Sequence, residues 1–159
     1  MDFSRRKFLG AGVLCQEIPL RPPWAQAESL FQEACTRCGD CVRHCPEGIL
    51  IQDNASSYPS VDFAKGECTF CGDCVDACPS TALQRHEAEP WPYKAKLNHR
   101  CLTEQQVVCL SCAEQCEVSA ISWQHQAKKV SKPIINIELC TGCGACVASC
   151  PTQAIEVKS

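Results

Sequence analysis

Cysteine is the residue type with the most chemistry to offer in this sequence, because 17 of the 159 residues are cysteine. Cysteine thiolates bind metal ions, and thiols form disulfides. Three blocks share one spacing, in which the cysteines are separated by two, two and three residues and a proline follows the last. These regular blocks are Cys35, Cys38, Cys41 and Cys45; Cys68, Cys71, Cys74 and Cys78; and Cys140, Cys143, Cys146 and Cys150.

A fourth block, which lies before the last regular one, keeps only part of this spacing. It consists of Cys101, Cys109, Cys112 and Cys116. Gln106 stands where the first cysteine is expected, and Glu117 replaces the proline. The last cysteines of the four blocks fall at positions 45, 78, 116 and 150, and an apolar pair follows each of them at the fourth and fifth positions. The chain is therefore a fourfold repeat.

The serial spacing of the regular blocks is the one that holds [4Fe–4S] clusters, because three closely spaced thiolates can wrap one cluster and the fourth ligates a neighbouring cluster. Disulfides fit less well, since they need an oxidising compartment and the cysteine count is odd. Zinc sites combine two separate pairs of closely spaced cysteines rather than placing three cysteines in series. We therefore predict [4Fe–4S] clusters in the three regular blocks and a fourth in the altered block, where cysteines without a cluster are the alternative.

Short apolar stretches flank the blocks and predict the elements that position them. Residues 61–63 and 134–137 are expected to form strands before their blocks, and residues 49–51 and 154–157 strands after them. About one turn of helix fits between the third and fourth cysteines of a block, and the proline ends it. The predicted fold class is α+β, with two tandem ferredoxin-like halves of two clusters each. We place a basic, proline-rich N-terminal arm at 1–27, the first half at 28–89 and the second half at 90–159.

The composition argues against several classes of function. The sequence has no apolar run of about 20 residues, so no membrane span is expected. The formal net charge of −3 is unlike that of a nucleic-acid-binding protein. Four thiolate-bound clusters would lower this charge to about −11, which favours basic docking surfaces. The histidines show no nucleophile or paired-base pattern, so we predict that the protein is not an enzyme; they are His44, His86, His99 and His125.

The N-terminal arm differs from the rest of the chain. Arg5, Arg6 and Lys7 precede a short apolar stretch, as in a twin-arginine export signal. The apolar stretch is short for such a signal. We therefore expect a cytoplasmic protein whose arm docks a partner or is a simple basic tail, with twin-arginine export to the periplasm as the alternative. Cys15 lies outside the blocks and is expected to be a free thiol.

The order of the blocks and several flanking segments resemble the ferredoxin-type NapF family of nitrate reductase operons. The segments that carry the resemblance are Arg21-Pro22-Pro23-Trp24, Tyr58-Pro59-Ser60-Val61 and the twin arginine Arg5-Arg6. The resemblance implies a cytoplasmic iron–sulfur accessory protein that interacts with NapA, the catalytic subunit of periplasmic nitrate reductase, and assists its maturation before export by electron transfer. It also implies that the sixteen cysteines of the four blocks are cluster ligands.

Other functions agree with the same cysteine pattern. One alternative is a general polyferredoxin that carries electrons, or an electron-transfer subunit of another redox complex. A second alternative is a scaffold whose clusters only hold the fold together. Reduction of the clusters separates a carrier from a scaffold, and binding to NapA separates the accessory protein from a general carrier.

Overall fold

The computed structural model describes residues 19–52, 56–87 and 89–158. Arg5, Arg6 and Cys15 lie outside these residues, so what is expected of them stays a prediction. Among the described residues, no helix is both long enough and apolar enough to cross a membrane.

Four single-turn helices lie inside the cysteine blocks. They are α2 (Asp40–Arg43), α3 (Asp73–Asp76), α4 (Ser111–Glu114) and α5 (Ala145–Ala148), whereas the longer α1 (Glu28–Ala34) precedes the first block. Each single turn contains the third cysteine of its block and ends before the fourth, as the spacing predicts. In the altered block, α4 also stops at Glu114, so the helix ends there without a following proline.

Among the residues that the structure describes, six strands form three separate two-stranded antiparallel sheets. The pairs are β1 (Leu50–Gln52) with β2 (Pro59–Val61), β3 (Lys94–Leu97) with β6 (Ile155–Lys158), and β4 (Ile121–Gln126) with β5 (Lys129–Ile135). The sheet of β3 and β6 joins the beginning of the second half to its end. The hairpin of β4 and β5 lies between these two strands in the sequence. The α+β fold class is thereby confirmed.

The predicted strands are found close to their expected positions. The strands expected at 49–51 and 154–157 are β1 and β6, each displaced by one residue. The strand expected at 61–63 ends at Val61 as β2, and the one expected at 134–137 is the end of the longer β5. No apolar run marks β4 in the sequence, because one face of the hairpin is exposed and carries polar residues.

The repeated apolar pair behind each block forms the centre of the two halves. The first members of the pairs are at most 2% exposed, and they are Ile49, Ala82, Ala120 and Ala154. The second members are at most 9% exposed, and they are Leu50, Leu83, Ile121 and Ile155. Cysteines of the blocks belong to the same core. The sequence repeat therefore marks a thin apolar layer that lies directly behind the cysteines.

Arg21 ties the segment before α1 to the first half. Its side chain is almost fully buried and donates to both carboxylate oxygens of Glu28, at 2.6 and 2.9 Å, and to the carbonyl oxygen of Pro59 at 3.0 Å. The guanidinium also lies over the rings of Phe31 and Tyr58, 5.0 and 5.4 Å from their centroids. The hydrogen bonds from Arg21 hold the pKa of Glu28 below its ordinary value. One buried cation therefore joins α1 to β2.

We expect Arg21→Ala to destabilise the cluster-loaded protein by about 2–3 kcal/mol, because it breaks a largely buried ion pair and its hydrogen bonds. The temperature at which the visible iron–sulfur absorbance bleaches should fall by roughly 5–10 °C. Arg37→Ala is the control, since Arg37 also lies over Tyr58, at 4.5 Å, but is exposed. Its loss should cost less than about 1 kcal/mol. Equal effects of the two substitutions would contradict the role given to Arg21.

Candidate iron–sulfur sites

The first cavity brings together cysteines from two different blocks. Like the cavities described below, it is partly open to solvent, and its empty space of about 330 Å³ includes that open part. It is lined by Cys35, Cys38 and Cys41 of the first block and by Cys78, the last cysteine of the second. Phe31 and the buried Leu83 form part of its apolar wall. We call these four cysteines site 1.

A second cavity has the reciprocal composition. It measures about 350 Å³ and is lined by Cys68, Cys71 and Cys74 of the second block and by Cys45, the last cysteine of the first. We call these four cysteines site 2. Trp24 of the segment that follows Arg21 also lines this cavity. The two blocks thus exchange their last cysteines, which is the ligand pattern of two-cluster ferredoxins.

Glycines let the chain turn sharply behind the cavity wall. Gly39 and Gly72 have φ angles of +76° and +89° directly before α2 and α3, a backbone conformation that other residues rarely adopt. A Cβ atom on Gly72 would lie 1.2 Å from Nη2 of Arg85. The same nitrogen donates to the carbonyl oxygen of Cys71 at 2.9 Å. Glycine therefore supplies both the conformation and the space for this contact.

The altered block builds a third cavity of the same kind. It measures about 330 Å³ and is lined by Cys101, Cys109 and Cys112 together with Cys150, the last cysteine of the next block. We call these four cysteines site 3. The extra residues form a 3-10 helix, Leu102–Gln105, between Cys101 and the rest of the block. Thr103 belongs to this helix and is buried, and its Oγ1 lies 3.3 Å from Cys101 Sγ.

Two residues of the altered block follow a different backbone path from the regular blocks. Gln106, at the place of the missing first cysteine, has a φ angle of +61°, and its Oε1 accepts a hydrogen bond from the N–H of Val130 at 3.4 Å. Leu110 stands where the regular blocks have glycine, and its φ angle is −119°. The wall of the third cavity is therefore completed by Cys101 from upstream and not by residue 106.

The last group of cysteines faces the beginning of the second half. Cys140 and Cys146 are buried. The N–H of Ala95 in β3 donates to Cys140 Sγ at 3.5 Å, and Nζ of Lys94 donates to the carbonyl oxygen of Cys140 at 2.8 Å. We use the name site 4 for Cys116, Cys140, Cys143 and Cys146. The place of Cys116 in this site is a prediction from the exchange seen in the other sites.

Burial raises the pKa of the third cysteine of each block, and it also raises the pKa of Cys68 to about 12. Burial, reinforced by neighbouring thiols, raises the pKa of these thiols, to about 12 for Cys41, Cys74 and Cys146 and to about 11 for Cys112. The neighbours include the exchanged cysteines, Cys78 beside Cys41 and Cys150 beside Cys112. A nearby positive centre such as bound iron is what converts such thiols to thiolates.

Hydroxyl groups beside the thiols are not implied by the cysteine pattern. A serine or threonine two residues after a cysteine places its oxygen 3.3–3.8 Å from that Sγ atom. The pairs are Cys78 with Ser80, Cys101 with Thr103, Cys109 with Ser111 and Cys150 with Thr152. Hydrogen bonds to cluster sulfurs tune reduction potentials. The recurring spacing of a cysteine and a hydroxyl two residues later is the sequence signal for them.

The donor set around the cavities fits iron–sulfur clusters. All sixteen cysteines of the described residues are free thiols, and no three His, Cys, Asp or Glu side chains in this part of the chain group tightly enough for a single metal ion. Four sulfurs around such a cavity match a [4Fe–4S] cluster, which is held by four thiolates and supplies one-electron chemistry when bound.

Known domains match both halves of the chain. Residues 34–83 match a 4Fe-4S dicluster domain, and residues 107–154 match a second 4Fe-4S dicluster domain. The first match contains every cysteine of sites 1 and 2. The second match begins after Cys101, so it does not include the upstream cysteine of the altered block.

Several ferredoxin-type proteins resemble the chain over most of its length. Ferredoxin-type protein NapF of Haemophilus influenzae is 42% identical over 89% of this chain and 80% of its own length. Ferredoxin-type protein NapF of Escherichia coli K12 is 39% identical over 99% of this chain and 96% of its own length. Ferredoxin-type protein NapG of H. influenzae is 30% identical over 98% of this chain and 71% of its own length. The chain therefore belongs to the family of ferredoxin-type NapF proteins and carries two 4Fe–4S dicluster domains.

Proposed function

We propose that this protein is a cytoplasmic iron–sulfur accessory protein that binds NapA, the catalytic subunit of periplasmic nitrate reductase, and assists its maturation before export by electron transfer. The sixteen cysteines of sites 1 to 4 would hold four [4Fe–4S] clusters. Membership of the NapF family supports a role in the nitrate reductase system. The two dicluster domains support the electron-transfer chemistry.

The observation that carries the electron-transfer part of this proposal is the exchange of cysteines between blocks. Cys78 of the second block lines the cavity of site 1, and Cys45 of the first block lines that of site 2. Clusters held in this way would be neighbours, because each block contributes ligands to both. Adjacent one-electron centres in so small a protein suit the carriage of electrons. We infer that the protein is a carrier and not an enzyme.

The binding part of the proposal predicts that the protein retains unexported NapA. Tagged protein, purified anaerobically with its iron, is expected to capture the NapA precursor from cells in which export is blocked. The retention should weaken at high salt, because a holoprotein with a charge of about −11 docks through opposite charges. After reduction by dithionite and removal of the excess, the protein should regain its visible absorbance when the precursor is added, as each reduced cluster passes one electron to an oxidised group of NapA and is itself oxidised. An iron-loaded bait that captures no precursor would contradict the proposal.

A matched variant locates the binding surface. Arg5→Gln combined with Arg6→Gln removes the paired charge of the arm and leaves every cysteine in place. If the arm docks NapA, capture should fall at least tenfold while the iron content stays the same. Unchanged capture would assign the docking to the iron–sulfur body and would contradict a docking arm.

A general polyferredoxin carrier is the second candidate, and relatives with other names favour it. Besides NapG, the methylamine utilization ferredoxin-type protein MauM of Paracoccus denitrificans is 32% identical over 82% of this chain and 66% of its own length. A general carrier would reduce an unrelated acceptor such as cytochrome c as fast as NapA and would not retain the precursor. A scaffold would keep its visible absorbance unchanged in dithionite.

A further inference from the structure

The two halves meet at the loops that carry cysteines of sites 2 and 4. The N–H of Cys68, a member of site 2, donates to the carbonyl oxygen of Cys143, a member of site 4, at 2.8 Å. This hydrogen bond joins the backbones of two candidate ligands directly. The loops of sites 2 and 4 are therefore in contact across the boundary between the halves.

Trp91 packs between the same two loops. Its ring meets Phe70, inside the site 2 loop, edge to face at 5.4 Å, and Phe63 at 5.9 Å. Its indole N–H donates to the carbonyl oxygen of Thr141, inside the site 4 loop, at 3.0 Å. Trp91 and Phe63 are 5% and 6% exposed. Two buried rings, Trp91 and Phe63, and the half-buried Phe70 thus pack beside the contact.

Glycines in the site 4 loop allow this close approach. A Cβ atom on Gly144 would lie 2.0 Å from Cδ1 of Phe63, and one on Gly142 would lie 2.1 Å from the carbonyl oxygen of Tyr93. Both glycines also have positive φ angles, +86° and +76°. The loop therefore fits against the first half and Trp91 without room for a larger residue.

The residues that line the cavities of sites 1 and 3 include none of the junction residues named above. The residues that line the cavity of site 1 fall between Phe31 and Leu83, all in the first half. Those that line the cavity of site 3 fall between Leu97 and Ile155, all in the second half. Within each half, the exchanged cysteines make the two sites neighbours. The contacts therefore place the sites in the linear order 1, 2, 4, 3.

We propose that the junction of Cys68 and Cys143 connects the two halves into one electron path that runs through sites 1, 2, 4 and 3. This inference rests on the proposed function, because it needs clusters in these sites. The step across the junction is a one-electron exchange, in which site 2 is oxidised by one electron, site 4 is reduced by one, and no bond forms or breaks. An electron from a low-potential donor protein at one half can then leave from the other half. Through the junction, electrons would pass from one half to the other, so the halves would not act as two independent ferredoxins.

Two double variants test the path, and each removes one cysteine from each of two sites. Cys38→Ala with Cys109→Ala removes the second cysteine of sites 1 and 3 and keeps the inner pair of sites. Cys71→Ala with Cys143→Ala removes the equivalent cysteines of sites 2 and 4 and keeps the outer pair. Each variant should hold about eight irons per chain. After dithionite reduction, electron paramagnetic resonance is expected to show broadened, fast-relaxing, spin-coupled signals for the inner pair and two isolated signals for the outer pair.

The outcomes separate this inference from the proposed function. Isolated signals from an inner pair that holds about eight irons would overturn the electron path and leave the function untouched. Wild-type protein without iron would overturn the function itself. The single variants Cys143→Ala and Cys109→Ala give a second measurement in an otherwise intact chain. Only Cys143→Ala should sharpen the signals of the first half, and equal signals of that half in both variants would also overturn the path.

Discussion

Removal of iron under anaerobic conditions is expected to unfold this protein and not to leave a folded apoprotein. The three sheets in the described part of the chain have two strands each, and an isolated pair of strands is at best marginally stable in water. Four of the helices are four residues long, far below the roughly 12–15 residues that an isolated helix needs. The secondary structure therefore cannot hold the fold without the groups that the cysteines bind.

The core leads to the same expectation. Buried residues such as Ile49 and Ala154 form a thin layer, and cysteines complete the core around the cavities. Without iron, the side chains that line each cavity lack partner atoms on the cavity side. Structural zinc contributes roughly 10–16 kcal/mol to the folding of small metal domains. Clusters that contribute on that scale would match or exceed the whole stability of about 5–15 kcal/mol that is typical of a folded domain.

The measurement is circular dichroism and limited proteolysis before and after chelation with a reductant present. We expect the native ellipticity to be lost and the chain to become cleavable throughout residues 28–158. Reconstitution with iron and sulfide should restore both properties, whereas zinc at the same concentration should not. An apoprotein that keeps its ellipticity and resists the protease would show that the polypeptide alone holds the fold.

Local spacing predicts those parts of the molecule that repeat. The third cysteine of each block lies in a single helical turn, and the apolar pairs such as Ala154 and Ile155 lie in the core. These features follow from short-range geometry, because a fixed number of residues links each cysteine to its helix and to the apolar pair behind it. The same reasoning predicts the exchange of Cys45 and Cys78, which the cavities show.

Contacts between distant segments do not follow from spacing. Arg21 reaches Pro59 across 38 positions, and Cys68 reaches Cys143 across the two halves. In both contacts, the sequence around one residue does not indicate which distant residue it will meet. The sheet of β3 and β6 also joins segments about 60 residues apart. Such contacts depend on which surfaces meet after each block has formed, so they become visible only in the three-dimensional structure.

Cys101→Ala is expected to remove one cluster, which lowers the iron content from about sixteen to about twelve per chain. The reason is that Cys101 completes the wall of the third cavity together with Cys109, Cys112 and Cys150. Iron and acid-labile sulfide are measured per chain after anaerobic purification. Cys15→Ala is the matched control, because it removes the one cysteine outside the blocks, and it should keep about sixteen irons. Wild-type protein with only about twelve irons would mean that the altered block holds no cluster.

A cysteine restored at the regular position should not rescue this loss. In Cys101→Ala combined with Gln106→Cys, the altered block regains the regular spacing of two residues before Cys109. Residue 106, however, has a φ angle of +61° and directs its side chain to the N–H of Val130. Leu110 also lacks the glycine conformation of the regular blocks. We therefore expect about twelve irons in this variant as well. A return to about sixteen irons would show that spacing alone, and not the path through the 3-10 helix, decides which cysteine completes site 3.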